Sequence, residues 1–138
     1  MASLIYNSFW EDLARGSIDL DTDTIKVLLT TSAYVENKDT HVKRSDVTNE
    51  VTGTGYTAGG TTSAITVTKD TANDRLDVSL GQVTWPSSTI TARKAVYYKS
   101  RGGASSADEL VAVNDFGSDV VSTNGTFTLN ASTIRVQN

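Results

Sequence analysis

Apolar residues recur every fourth position at the start of the chain. In "SLIYNSFWEDLARG" Ile5, Phe9 and Leu13 fall on one stripe, with Tyr6 and Trp10 alongside and Glu11 and Asp12 turned away. The spacing predicts a helix over about residues 3–15, with Ser3 as N-cap and Gly16 as the stop. The pattern then changes. "TIKVLLTT", residues 24–31, is a β-branched run that reads as a well-buried strand. From Ser32 to Glu50 the chain is polar, with one short helical turn expected around "THVKRSDV". So long a loop in a small domain is expected to be functional, or ordered by a partner.

Strand signals follow at short intervals. "TTSAITVTKD" leads to the turn "TANDR", then come "RLDVSLG", "QVTWP" and the long run "STITARKAVYYKS". After the turn "RGGASSADE" come "ELVAVNDF" and "TNGTFTLNASTIRVQ", in which Thr126, Phe127, Thr128 and Leu129 alternate. Seven or so strands so spaced predict a sandwich or barrel with one helix on its side or rim. No repeat or linker divides the chain, so residues 1–138 are read as one domain.

Composition supports this reading and narrows the chemistry. Abundant Thr and Ser suit a half-exposed pleated surface. There is no cysteine, which excludes disulfides, zinc–thiolate sites and thiol catalysis. A net charge of −4 comes with no basic run longer than Lys43–Arg44, so no nucleic-acid partner is expected. No run approaches the roughly 18 apolar residues of a membrane span. The first residues carry acids and no basic leader, so neither a membrane nor a secretory route is expected, and synthesis is placed in the cytoplasm.

Four stretches invite a site reading. "DLDTDTIKV" alternates Asp19, Asp21 and Asp23 like a calcium loop, but Thr24 and Thr30 stand where such a loop needs Gly and Glu. A turn feeding a strand is expected there, with no metal. "GTGYTAGG", residues 53–60, imitates a phosphate loop, yet a strand-forming run follows it and no Lys appears before Lys69. Its glycines are expected at positive φ between strands, with no cofactor. His41, the one histidine, would have to serve any Ser-His-Asp triad, and its polar surroundings favour a solvated loop residue. Acid pairs such as Asp108–Glu109 would act as glycosidase carboxylates only across a cleft. Trp85, Tyr97 and Tyr98 could stack on a sugar, but Tyr97 and Tyr98 are neighbours on a strand and core packing explains them better. No catalytic residue is assigned.

Three blocks taken in order are more specific than any one alone: "YNSFWEDLARGSIDLDTDTIKVLL", "NEVTGTGYTAGG" and "VTWPSSTITARKAVYYK". From about Tyr6 to about Lys99 the chain resembles a group of small structural proteins of tailed bacteriophages. That resemblance implies a virion component, above all a capsid decoration or cementing protein, with a jelly-roll or other β-sandwich fold and no catalytic motif. The combined expectation is a mainly β fold, a jelly-roll-like β-sandwich with one N-terminal α-helix. It sits on the capsid exterior, with the major capsid protein as partner and a homo-oligomer, dimer or trimer, as its form. A neck or tail component, or a carbohydrate-binding host-attachment module, is the alternative. The candidate contact residues are Tyr6, Phe9 and Trp10 of the aromatic helix and Tyr34, His41, Lys43 and Arg44 of the polar loop. For the aromatic residues of the helix, packing against one end of the sandwich is the plainer account.

Overall fold

The computed structural model describes residues 3–138. Strand β1 (Leu4–Ile5) leads into helix α1 (Asn7–Arg15), followed by β2 (Ile25–Thr30) and a long loop over residues 31–60. Then come β3 (Thr61–Thr62), β4 (Ile65–Asp70), β5 (Arg75–Leu80), β6 (Val83–Lys99), β7 (Leu110–Leu129) and β8 (Ser132–Gln137). Five strands form one sheet in the order β1-β7-β6-β2-β3, and three form another in the order β4-β5-β8. All pairings are antiparallel. The expected β-sandwich with an N-terminal helix is observed.

Two elements differ from the reading of the sequence. The helix begins at Asn7, because Leu4 and Ile5 pair with Val113 and Ala112 on the edge of β7. Ser3 therefore caps no helix; its hydroxyl donates to Asn114 Oδ1 at 3.1 Å and accepts from the Asp115 N–H at 3.0 Å. Gly16 does end the helix, at φ 77°, with its N–H on the Leu13 carbonyl. The second difference is that runs read as separate strands are continuous. "QVTWP" and the run after it form the single strand β6, with Pro86 placed at a bulge where a missing N–H costs no ladder bond.

The C-terminal half is one long hairpin folded over on itself. β5 pairs β8 from Arg75↔Gln137 to Leu80↔Ser132, and β6 pairs β7 onward from Val83↔Leu129 in the same register. The ribbon passes from the small sheet to the large one at Gly81–Gln82 and Asn130–Ala131. A jelly roll would alternate mostly between sheets; here the hairpins β4–β5 and β6–β7 each stay within one.

Period-two alternation explains the packing. Ile25, Val27, Leu29, Ala95 and Tyr97 face the small sheet, where Phe9, Trp85 and Phe127 complete the main core. Leu28, Val96 and Tyr98 face the opposite way and form a second core with Tyr6, Tyr34, Leu110 and Val113. So the five-stranded sheet is covered on both faces, on one by the small sheet and on the other by the first part of the 31–60 loop, with Tyr34 and Val47, while Val51 and Tyr56 further along turn into the main core. That is why the adjacent Tyr97 and Tyr98 are both buried.

Candidate functional site

The loop over residues 31–60 is the largest irregular segment, and side chains reaching up from the strands hold it in place. Lys94 projects from β6 into the loop, donating to the Tyr34 carbonyl at 2.7 Å and pairing with the Glu36 carboxylate. Both partners are only 5% exposed. Beside them Tyr34 and Tyr6 share a hydrogen bond of 2.7 Å, and Tyr34 Oη lies 2.9 Å from His41 Nδ1, with the two rings stacked 5.7 Å apart. Burial raises the Tyr6 phenol far above its ordinary pKa, with help from the Tyr34 bond, and pushes Tyr34 up to about 12. His41 is half-buried against Tyr34, where the sequence suggested a freely solvated side chain.

A second clamp joins the loop to the turn between β6 and β7. Arg44 Nε donates to Asp108 Oδ2 at 2.8 Å, and its guanidinium lies over the Tyr98 ring, 5.1 Å from the centroid. Arg101 takes Glu109 in a fork, with Nε 3.0 and 3.1 Å from its two oxygens, while Lys43 Nζ stands 3.6 Å from the same carboxylate. Burial acts to raise the pKa of Glu109, but the bond from Arg101 and the nearby Lys43 charge outweigh it and hold the pKa below the usual range. The acid pair Asp108 and Glu109 is thus buried and engaged in holding two loops together.

The glycine-rich stretch is a third clamp. The Glu50 carboxylate accepts from Tyr56 Oη at 2.7 Å and from the Gly59 N–H at 2.6 Å. Tyr98 Oη donates to the Gly59 carbonyl at 2.5 Å. Gly60, at φ 72°, lies so close to β2 that a Cβ there would meet the Val27 carbonyl oxygen at 1.8 Å. The run "GTGYTAGG" is therefore a seam laid against strand backbone, as its positive-φ reading required. Asp19, Asp21 and Asp23 likewise make turn bonds. Asp19 Oδ1 accepts from the Asp21 N–H at 2.9 Å, and Asp23 Oδ2 accepts from the Asp19 N–H at 2.7 Å and pairs with Lys99 at 2.8 Å.

Five of the seven contact residues expected from the sequence thus gather around one loop, and the other two lie on α1. Tyr6, Phe9 and Tyr34 are fully buried, so they belong to the fold's own cores and present nothing to a partner. Lys43 and Arg44 are partly exposed but tied to Glu109 and Asp108. Trp10 remains 40% exposed on α1. Sequence reasoning missed Val35 and Val42, 65% and 41% exposed on the outer surface of the loop. It also missed Lys94, whose only signal is a lone ammonium within the apolar run "KAVYY". Trp85, Tyr97 and Tyr98 are buried, so they form no sugar-stacking face.

No protein-family model, curated protein or solved structure matches this chain.

Proposed function

We propose that this chain is a non-enzymatic structural protein of a tailed-phage virion, binding the exterior of the assembled capsid and bridging neighbouring capsomers. The observation that carries the reading is the triple clamping of the 31–60 loop. A cementing protein has to pass load between subunits without yielding, and its contact loops must be rigid before they bind. Here the groups that catalysis would need, His41, Asp108, Glu109 and Lys94, are engaged in fixing that loop. The loop's outer surface keeps Val35 and Val42 exposed on this fixed base. The order of the three sequence blocks supports the virion assignment, and a major capsid protein is the partner that follows from it. A homo-oligomer fits the same role, since many copies on a lattice gain from effective concentration.

The test is to prepare particles lacking this protein, measure rupture on heating or on loss of internal ions, and add the protein back. The reading expects fragile particles that rebind the chain and regain strength by mass action. Particles that are equally robust without it, and do not rebind it, would refute cementing. Density on the neck or tail, or selective binding on a glycan array, would move the protein to those roles.

A further inference from the structure

A bridging protein needs two contact surfaces, and an incompletely covered apolar groove lies on the far side of the five-stranded sheet from the Lys94–Glu36 clamp. The inner face of the small sheet runs beyond the main core. On this face Val67 of β4 stands in one row with Val78 of β5 and Ile134 of β8, and the next row is Lys69, Leu76 and Val136. Helix α1 and Leu20 cover this end incompletely, leaving a groove of ≈ 370 Å³. Trp10 is 40% exposed there, and Val67 and Val136 are each 44% exposed.

Charge beside the groove selects what can fill it. Residues 11–23 hold Glu11, Asp12, Asp19, Asp21 and Asp23 against Arg15 alone. Arg15 pairs with Glu11 and Lys99 with Asp23, so the acidity left beside the groove is that of Asp12, Asp19 and Asp21. Asp19 and Asp21 line the groove itself and both are exposed. A second copy docking through the same face would bring two such acidic rims together, which like-charge repulsion opposes.

We propose that this groove is a docking site for a basic, apolar-anchored segment of a partner protein, whose large apolar side chain seats between Trp10 and Val67 while a flanking Lys or Arg meets Asp19 and Asp21. An exposed tryptophan in a pocket is the usual anchor of such contacts, and the acidic rim sets steering and salt dependence. The inference rests on the reading above only in taking the capsid shell as the source of that segment.

Two measurements separate the inference from the reading. In the first, isotope-labelled full-length protein is titrated with a synthetic peptide of alternating Lys and Leu. Shifts are expected at the Trp10 indole and the Val67 and Val136 methyls, with affinity falling as salt rises. The combined Asp19→Asn and Asp21→Asn variant, which keeps the carbonyl oxygens of the turn, should bind about tenfold more weakly, and so should wild type with a Glu-for-Lys peptide. No shifts at these groups, equal affinity for the Glu peptide, or groove signals that move with protein concentration alone would each overturn the proposal.

The second measurement is add-back to stripped particles. Wild type should bind, while the double Asn variant and Val67→Glu, both checked for unchanged melting, should bind about tenfold more weakly or not at all. If both variants bind like wild type, the groove proposal fails and the decoration reading stands. If wild type does not rebind while the peptide fills the groove, the decoration reading fails and the docking site stands.

Discussion

Replacing Lys94 by Met tests the clamp on which the functional reading depends. Lys94 and Glu36 form a charged pair that is almost wholly removed from water. Removing one partner leaves the other charge buried and uncompensated, which costs about 3–5 kcal/mol. Against a domain stability of about 5–15 kcal/mol, that is a large fraction. Glu36→Leu alone should cost a similar amount, because the ammonium then loses its carboxylate partner and keeps the Tyr34 carbonyl and ring with the more distant Asp115 charge. The combined Lys94→Met and Glu36→Leu chain removes both charges and should be close to wild type, or more stable, since apolar pairs of similar volume commonly replace buried ion pairs without loss. Urea unfolding followed by tryptophan fluorescence gives each free energy by linear extrapolation. The double change should be less damaging than either single one, and with these costs the coupling is about 6–10 kcal/mol, well beyond the roughly 0.5–3 kcal/mol of ordinary contacts. If each single change costs under about 1 kcal/mol, or if the costs simply add, the pair is not the loop's anchor.

The five tyrosines offer a pH test. Burial raises the pKa of all of them, with Tyr34 and Tyr98 pushed up to about 12. A raised folded pKa means the stabilisation is complete below the ordinary phenol value of about 10 and is lost as pH climbs through the folded value. Tyrosinate absorbance should therefore stay absent near pH 10 and rise steeply only with unfolding in stronger alkali; smooth titration of even one tyrosine near 10 contradicts the packing. Gly60→Ala drives a methyl into the Val27 carbonyl and should cost about 3 kcal/mol or more in thermal or urea unfolding. Gly102→Ala, at φ 80° with open space around it, should cost only the backbone strain of about 1–2 kcal/mol, and equal losses would refute the close approach. Calcium should leave the melting temperature unchanged. A ligand at a hundred times its dissociation constant would add about 2.7 kcal/mol, so a calcium-dependent rise abolished by Asp21→Ala would show that the Asp19–Asp23 turn holds a metal.

Local physics made much of this molecule legible from its sequence. The β-branched run around Val27 to Leu29, the alternation at Phe127 and Leu129, and the stop at Gly16 all depend on side-chain period or backbone freedom, which neighbouring residues fix. The aspartate turn and the glycine seam were readable for the same reason. What was not legible depended on distant partners. Leu4 and Ile5 have helical spacing, yet they join a sheet because β7, more than a hundred residues away, offers an open edge. The burial of Tyr6 and Tyr34 follows from a second core on the outer face of the large sheet, and no periodicity in a polar loop announces that it will cover one. Lys94 finds Glu36 only after β6 and the loop are brought together. The groove beside Trp10 arises because the inner face of one sheet outruns the elements that cover it. Sequence determined which elements form and how their faces alternate. Only tertiary structure decided which faces were covered, and by which side chains, because burial depends on what the rest of the chain can reach.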